Sequence, residues 1–333
     1  MQRRALLGGL VSFGLGLSGQ AQRPSNLEKA AAYSAQHRGI ALLVMVEGKV
    51  VWEDYPNGGH PERPHELASG TKSFSGLMAV AAAQDGLLAL DEPVAQTLSE
   101  WRDDPLRSAI TIRQLLQLVS GLPGGRLGRP PTYAEAVQTP AAAPPGSRFS
   151  YGPIPFQVFG ELMRRKLGGD PLAYLERRIF FPLGLEYAFW RRGPDGYPHL
   201  PSGAFLTARN WARLGELVRT GGVWQGRRLL DEALVAECFL PSSVNPFYGL
   251  TWWLSKALPP QQQTALRQFG LELDQPGWVV AAGAGGQRLY VHREKGWVVV
   301  RQAAGILESL EGNRPPFSDR VLLRLLTGPG EAP

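Results

Sequence analysis

The run Ser-Phe-Ser-Gly-Leu-Met-Ala-Val-Ala-Ala-Ala at 73–83 carries no charge on any side. A helix that is apolar or small around its whole circumference has no face to give to water and must be enclosed by other elements. This chain therefore has to fold around that helix. With 333 residues and 44% hydrophobic content it has enough material for a large core. No stretch beyond the N-terminal segment approaches the roughly 18 apolar residues that a membrane span needs, so the helix belongs to a core rather than to a bilayer.

The two ends of the chain read as β-rich and the middle as helical. Residues 26–37 form a helix, and Gly39–Asp54 alternates around Glu47-Gly48 as a hairpin. A second hairpin is expected where 288–292 and 297–302 flank Glu294-Lys295-Gly296, and 317–326 has helical period. Helices are expected over 69–85, 111–119, 155–167, 171–179, 208–220 and 231–238, with a long Pro-rich loop at 129–146. The expected organisation is an α+β fold, an antiparallel sheet flanked by helices plus a helical region. Residues 22–64 together with 198–333 would form the sheet region and 65–197 the mainly helical region, with the active site between them.

Ser69 and Lys72 stand at the start of the buried helix in Ser-Gly-Thr-Lys. Residues three apart share a helix face, which puts the Lys72 amine beside the Ser69 hydroxyl. Serine is a weak nucleophile without a neighbouring base. Burial disfavours an ammonium, so a lysine on an apolar helix can serve as that base. The helix start also offers backbone N–H groups where an oxyanion would form.

In this context the chain resembles the serine β-lactamase and penicillin-binding-protein superfamily, and within it the class C-like esterases and amidases. The resemblance rests on Ala-Ser-Gly-Thr-Lys-Ser at 68–73, Asp-Gly-Leu-Leu-Ala-Leu-Asp-Glu-Pro-Val at 85–94 and Ile-Thr-Ile-Arg-Gln-Leu-Leu at 110–116. It continues through Ser-Gly-Leu at 120–122, Pro-Gly-Ser-Arg-Phe-Ser-Tyr at 145–151 and Ser-Gly-Ala-Phe-Leu-Thr-Ala-Arg-Asn-Trp-Ala-Arg-Leu-Gly at 202–215. It implies a β-lactamase-like fold and hydrolysis of an ester or amide through an acyl-enzyme. The alternatives are a β-lactamase or D-Ala-D-Ala carboxypeptidase, or a catalytically silent binding protein of the same fold.

The family's second motif, Tyr-x-Asn, is met by Tyr151 alone, because Pro153 takes the Asn place. The resemblance gives Tyr151 a part in proton transfer, as phenolate or by sharing a proton. The third motif, Lys-Thr-Gly or His-x-Gly, has its nearest counterpart in Ala284-Gly285-Gly286-Gln287. Ala284, Gly285 and Gly286 would then face the substrate, and the Gln287 N–H would join that of Ser69 as an oxyanion hole. The other reading of this segment is an ordinary Gly-rich turn.

The net charge of +6 comes from Arg residues scattered among Asp and Glu, which excludes a nucleic-acid surface. His37, His60, His65, His199 and His292 lack metal-binding spacing, and Gly283-x-Gly285 lacks the strand–turn–helix setting of a dinucleotide site, so no cofactor is expected. The lone Cys238 lies in an apolar helical context and reads as a buried structural thiol. Trp252 and Trp253 read as a core strand, with an acyl-pocket wall as the alternative. Residues 1–21, with Arg3-Arg4, an apolar stretch and small residues at Gly19 and Ala21, read as an export signal of the Sec or twin-arginine kind. The expected product is a periplasmic or secreted enzyme acting on small esters or amides, with no membrane span after signal removal.

Overall fold

Glu47 and Gly48 both adopt positive φ, +48° and +75°, the geometry of a two-residue hairpin whose twist matches its strands. That turn joins β1 (Gly39–Val46) to β2 (Lys49–Asp54) and opens the main sheet. The computed structural model describes residues 25–256, 266–313 and 317–328; the expected export signal at 1–21 lies outside them. Short strands β3 (His65–Glu66), β4 (Phe189–Trp190) and β5 (Ala204–Leu206) pair in the order β3-β5-β4, and β6 (Val223–Trp224) pairs with β7 (Arg227–Arg228). The chain then adds β8 (Trp253–Leu254), β9 (Trp278–Gly283), β10 (Gln287–His292) and β11 (Trp297–Ala303). The resulting antiparallel sheet has the order β2-β1-β11-β10-β9-β8, so strands from both ends of the chain share one sheet.

Alternation along β10 sorts the residues onto the two faces of this sheet. Leu289 and Val291 face the helix Ala208–Arg219, whose Gly215 lies against Leu289 and Val298. Arg288 and Tyr290 face the opposite way and bind Asp319 of the C-terminal helix Asp319–Thr327. The helix α1 (Asn26–Gln36) packs on that same side, where its Ser34 hydroxyl accepts from Arg301. Helices thus cover both faces.

The apolar helix is α2 (Ser73–Gln84), entered through a 3₁₀ turn over Ala68–Lys72, and every residue from Ser73 to Ala82 is buried. Its Phe74 packs edge-on against Phe180 and Trp190, and Gly76 passes the 248–253 turn. The helices Ile112–Leu116, Ile154–Leu167, Pro171–Leu175, Ala208–Arg219 and Glu232–Glu237 lie close to their expected places. Three expectations change. The helix expected to reach 119 stops at Leu116, because Leu118 turns to φ +60°. The segment 171–179 passes into a wider π turn at Glu176–Phe180. The expected loop 129–146 contains the helix Tyr133–Gln138, nucleated by a capping box in which Thr132 and Glu135 satisfy each other's backbone N–H.

Gly76 tests how closely α2 is enclosed. A Cβ there would stand 2.5 Å from the Leu250 carbonyl oxygen and 2.6 Å from Thr251 Oγ1. Gly76→Ala is expected to lower stability by about 1–3 kcal/mol, the usual cost of overpacking, despite alanine's better helix propensity. Urea denaturation followed by circular dichroism measures it, and an unchanged midpoint would show that the turn yields freely.

Candidate active site

Ser69 occupies the 3₁₀ turn that leads into α2, immediately after Ala68, which is held at φ +45°. The Leu67 N–H donates to the Ala204 carbonyl, so this turn is anchored to β5. One turn on, Lys72 is buried, and its Nζ stands 3.0 Å from Ser69 Oγ and 2.9 Å from the Pro201 carbonyl oxygen. Its other neighbours are the rings of Tyr151 and Phe156, at 5.0 and 5.3 Å. Desolvation by these surroundings brings the Lys72 amine from its usual 10.5 down to about 7. A large fraction is then the free amine at neutral pH, and at 3.0 Å it can take a proton from Ser69.

Tyr151 precedes the helix Ile154–Leu167, and the Ile154 N–H donates to the Gly124 carbonyl to hold the approach. Its phenol lines the cleft together with Ser69. Burial pushes that phenol up to about 12, against the lowering effect of Ser69 and Arg288, so it stays protonated at neutral pH. Pro153 caps the same helix and offers no side-chain polar group. The second acceptor for Lys72 is instead the Pro201 carbonyl, 129 residues farther along the chain.

The third motif falls on β9 and its turn. The strand Trp278–Gly283 was not anticipated; its signal is the apolar run 278–282 between Gly277 and Gly283. Gly283 is required there, because a Cβ would come within 2.1 Å of the Leu67 carbonyl oxygen beside the Ser69 turn. Trp278 exchanges hydrogen bonds with Ser255, so its polar backbone points to the β8 side. Backbone direction alternates in an antiparallel ladder. Ala282 therefore points its backbone to the outer edge, where β8 has already ended, and Gly283 pairs with Gln287 across β10. The extended backbone of Gly283 (ψ 159°) leaves the N–H of Ala284, first residue of the turn, on that outer side, directed opposite to the Gly283 carbonyl. Ala284, Gly285 and Gly286 line the cleft with Ser69 and Tyr151. Gln287 does not join them. It is fully buried, its backbone faces Gly283, and its side-chain amide donates to the Ala303 carbonyl and accepts from the Ala303 N–H.

The cleft encloses about 410 Å³, walled by Leu127, Trp253, Phe269, Leu271, Leu310 and Phe317. Trp253 and Phe269 lie 5.0 Å apart, and Tyr151 sits 5.5 and 5.3 Å from them. Of the tryptophan pair, Trp253 reaches the cleft and Trp252 stays in the core. Beneath the turn, Arg288 spends its guanidinium on Asp319, Gly270, Gly283 and Gln287. Arg267 stands at the rim, 3.8 Å from Glu272. Cys238 is buried and desolvation pushes its thiol well above the usual range. Among the described residues no group of three His, Cys, Asp or Glu is placed to hold a metal ion, and no helix is long and apolar enough to cross a membrane.

The family model described as Beta-lactamase matches residues 25–305. Among curated proteins, lovastatin esterase of Penicillium rubens is 27% identical over 150 residues, 36% of this chain and 37% of that protein. The matches extend over little more than a third of the curated relatives' own length. Among solved structures, a putative beta-lactamase from Bacteroides dorei superposes with a TM-score of 0.71 at 20% identity, over 89% of this chain and 95% of that one. EstCE1, a hydrolase with promiscuous acyltransferase activity, gives 0.69 at 18% identity, over 91% and 99%. At these identities the structures establish the shared fold.

The buried amine has a consequence for stability. The unfolded lysine titrates near 10.5 and the folded one near 7, so between those values the unfolded chain binds the extra proton and stability rises with pH. Below pH 7 the whole cost is present, about 5 kcal/mol at 1.36 kcal/mol per unit, before the loss of hydrogen bonds to Ser69 and Pro201 is counted. Lys72→Met, which keeps the volume and removes the charge, is expected to raise the melting temperature at pH 6. The gain should shrink toward pH 10. Calorimetry at the two pH values measures it, and a variant less stable at both would show that the amine is well accommodated.

Proposed function

This chain belongs to the beta-lactamase family, and from that premise we propose that it is a serine esterase that works through an acyl-enzyme on neutral substrates. The observation that carries the reading is the buried Lys72 amine, 3.0 Å from Ser69 Oγ and depressed to about 7. In the first step Ser69 Oγ attacks the ester carbonyl as Lys72 takes its proton. The proton taken up by Lys72 then reaches the leaving alcohol by way of Tyr151, whose phenol gives up its own proton as it receives that one and so ends the step neutral. The oxyanion is held by the N–H groups of Ser69 and Ala284. Ala284 replaces Gln287 in this role, since the Gln287 N–H faces Gly283 in the ladder. Water then attacks the acyl-enzyme along the reverse proton path. An N-terminal export signal at 1–21 would place the enzyme outside the cytoplasm.

The choice of neutral esters rests on the cleft wall. Ala284 presents no charge to a substrate carboxylate, and Arg288 is fully engaged with Asp319 and three backbone carbonyls. A carboxylate driven into this aromatic cleft would lose hydration without compensation. The name lovastatin esterase supports an ester-cleaving activity, and the description of EstCE1 as a hydrolase with promiscuous acyltransferase activity supports acyl transfer on this fold.

Ser69→Ala is expected to abolish labelling by a fluorophosphonate and hydrolysis of nitrophenyl esters while the far-UV spectrum is unchanged; retained turnover above background would end the reading. Lys72 must be neutral to act, so kcat/KM should fall as pH drops, with half-maximum near pH 7. A profile flat from pH 5 to 9 would remove Lys72 as the base.

Neutral short-chain esters should be turned over far better than a chromogenic cephalosporin, and Ala284→Lys should narrow that gap by improving only the carboxylate-bearing substrate. A wild-type enzyme equally efficient on both would mean that a carboxylate is met at the rim, where Arg267 stands.

A further inference from the structure

We propose that Thr71, the residue between Gly70 and Lys72, is a positioning residue whose hydroxyl locks the Ser69 turn and the Pro201 carbonyl together, so that the Lys72 amine is aimed at Ser69. The proposal rests on the reading of Lys72 as the base. Thr71 is fully buried and does not line the cleft. Its hydroxyl donates to the Ala68 carbonyl at 2.8 Å and accepts from the N–H groups of both Gly203 and Ala204, each at 3.2 Å. A hydroxyl has one donor and two acceptor sites, and here all three are used.

Each partner has a separate connection to the chemistry. Ala68 sits at φ +45°, a conformation that an alanine adopts only when its surroundings enforce it. That conformation sets the direction in which Ser69 emerges, and the Thr71 hydroxyl is bound to the Ala68 carbonyl. Gly203 and Ala204 lie directly after the Pro201-Ser202 segment, whose Pro201 carbonyl accepts from Lys72 Nζ at 2.9 Å. An amine that donates one N–H to a fixed carbonyl has its remaining directions determined, and one of them points at Ser69 Oγ, 3.0 Å away. With Pro153 in the place of a side-chain amide, a backbone carbonyl performs this aiming. A carbonyl has to be held by its own loop, and the Thr71 hydroxyl, beside the Leu67 N–H on the Ala204 carbonyl, holds that loop to the nucleophile turn.

The test compares wild type with Thr71→Val, which keeps the shape without the hydroxyl, and Thr71→Ser, which restores it. Kinetics with a nitrophenyl ester are measured across pH 5–9, well below each melting temperature. Thr71→Val is expected to lower kcat by about 100-fold, the scale of a roughly 1 Å misplacement, with KM little changed. Its acidic limb should move to lower pH, because withdrawing the Pro201 carbonyl removes an acceptor that favours the ammonium. Thr71→Ser should return both kcat and limb toward wild type. A role in stability alone would lower the melting temperature of Thr71→Val and leave kcat and limb unmoved, which would overturn the proposal. Should Thr71→Val not fold, Thr71→Cys, with a weak donor and acceptor in the same place, must show a smaller loss with the limb displaced the same way. Wild-type kinetics in Thr71→Cys would equally overturn the proposal. Parallel Ser69→Ala and Lys72→Ala variants separate the two readings. If both are inactive while Thr71→Val is wild-type, only the positioning role fails, and if either is active, the base assignment fails with it.

Discussion

A lysine amine kept out of water beside a serine is the constraint around which this molecule is arranged. The depression of Lys72 to about 7 comes from burial alone, with no neighbouring charge among its causes. A helix exposed on any face could not provide that environment. The run of small and apolar residues in α2 and the aromatic side chains of Tyr151 and Phe156 are therefore parts of the same electrostatic condition. Among the described residues the polar contacts of Nζ are the Ser69 hydroxyl and one backbone carbonyl, which orient the amine without a carboxylate to keep it protonated. A carboxylate in place of the Pro201 carbonyl would favour the ammonium and leave little free amine.

The opposite wall is built on the reverse principle, with buried charges held by hydrogen bonds. Arg288 and Asp319 are buried together, and Tyr290 adds its hydroxyl to the same carboxylate oxygen. Arg301, stacked on Phe317 with its guanidinium 3.8 Å from the ring centroid, donates to Gly286, Ser34 and His37. The two guanidiniums draw the carbonyls of Gly283, Gly286 and Gln287 beneath the turn. This clamp ties the turn to α1 and to the C-terminal helix, elements separated by nearly the whole length of the chain. Its worth lies in geometry, since buried ion pairs of this kind seldom add much net stability.

The parts of the site that were legible share one property, a local signal with a chemical meaning. Ser69 and Lys72 are three residues apart on one helix, and their proximity follows from helical geometry. The hairpin at Glu47-Gly48 follows from turn chemistry in the same way. Gln287 was misplaced because hydrogen-bond direction in a ladder depends on register, and register depends on which residue meets Ser255 on the neighbouring strand. One residue of offset exchanges an edge N–H for a paired one. The helix at 133–138 was missed, although Thr132 and Glu135 carry its capping signal, because the surrounding prolines read as a loop.

By itself the sequence determined that α2 is enclosed, that a serine and a lysine meet at its start, and that both ends of the chain are β-rich, because each of these depends on residues close together in the chain. Only the tertiary structure decided the rest. It brought the Pro201 carbonyl to Lys72, placed Ala284 rather than Gln287 at the free edge of β9, turned Trp253 into the cleft while Trp252 went to the core, and consumed Arg288 on Asp319. Backbone carbonyls and N–H groups are the same in every residue, so their part in a site is written in register and loop position. Those are set when distant segments pack, which leaves no mark on residue identity.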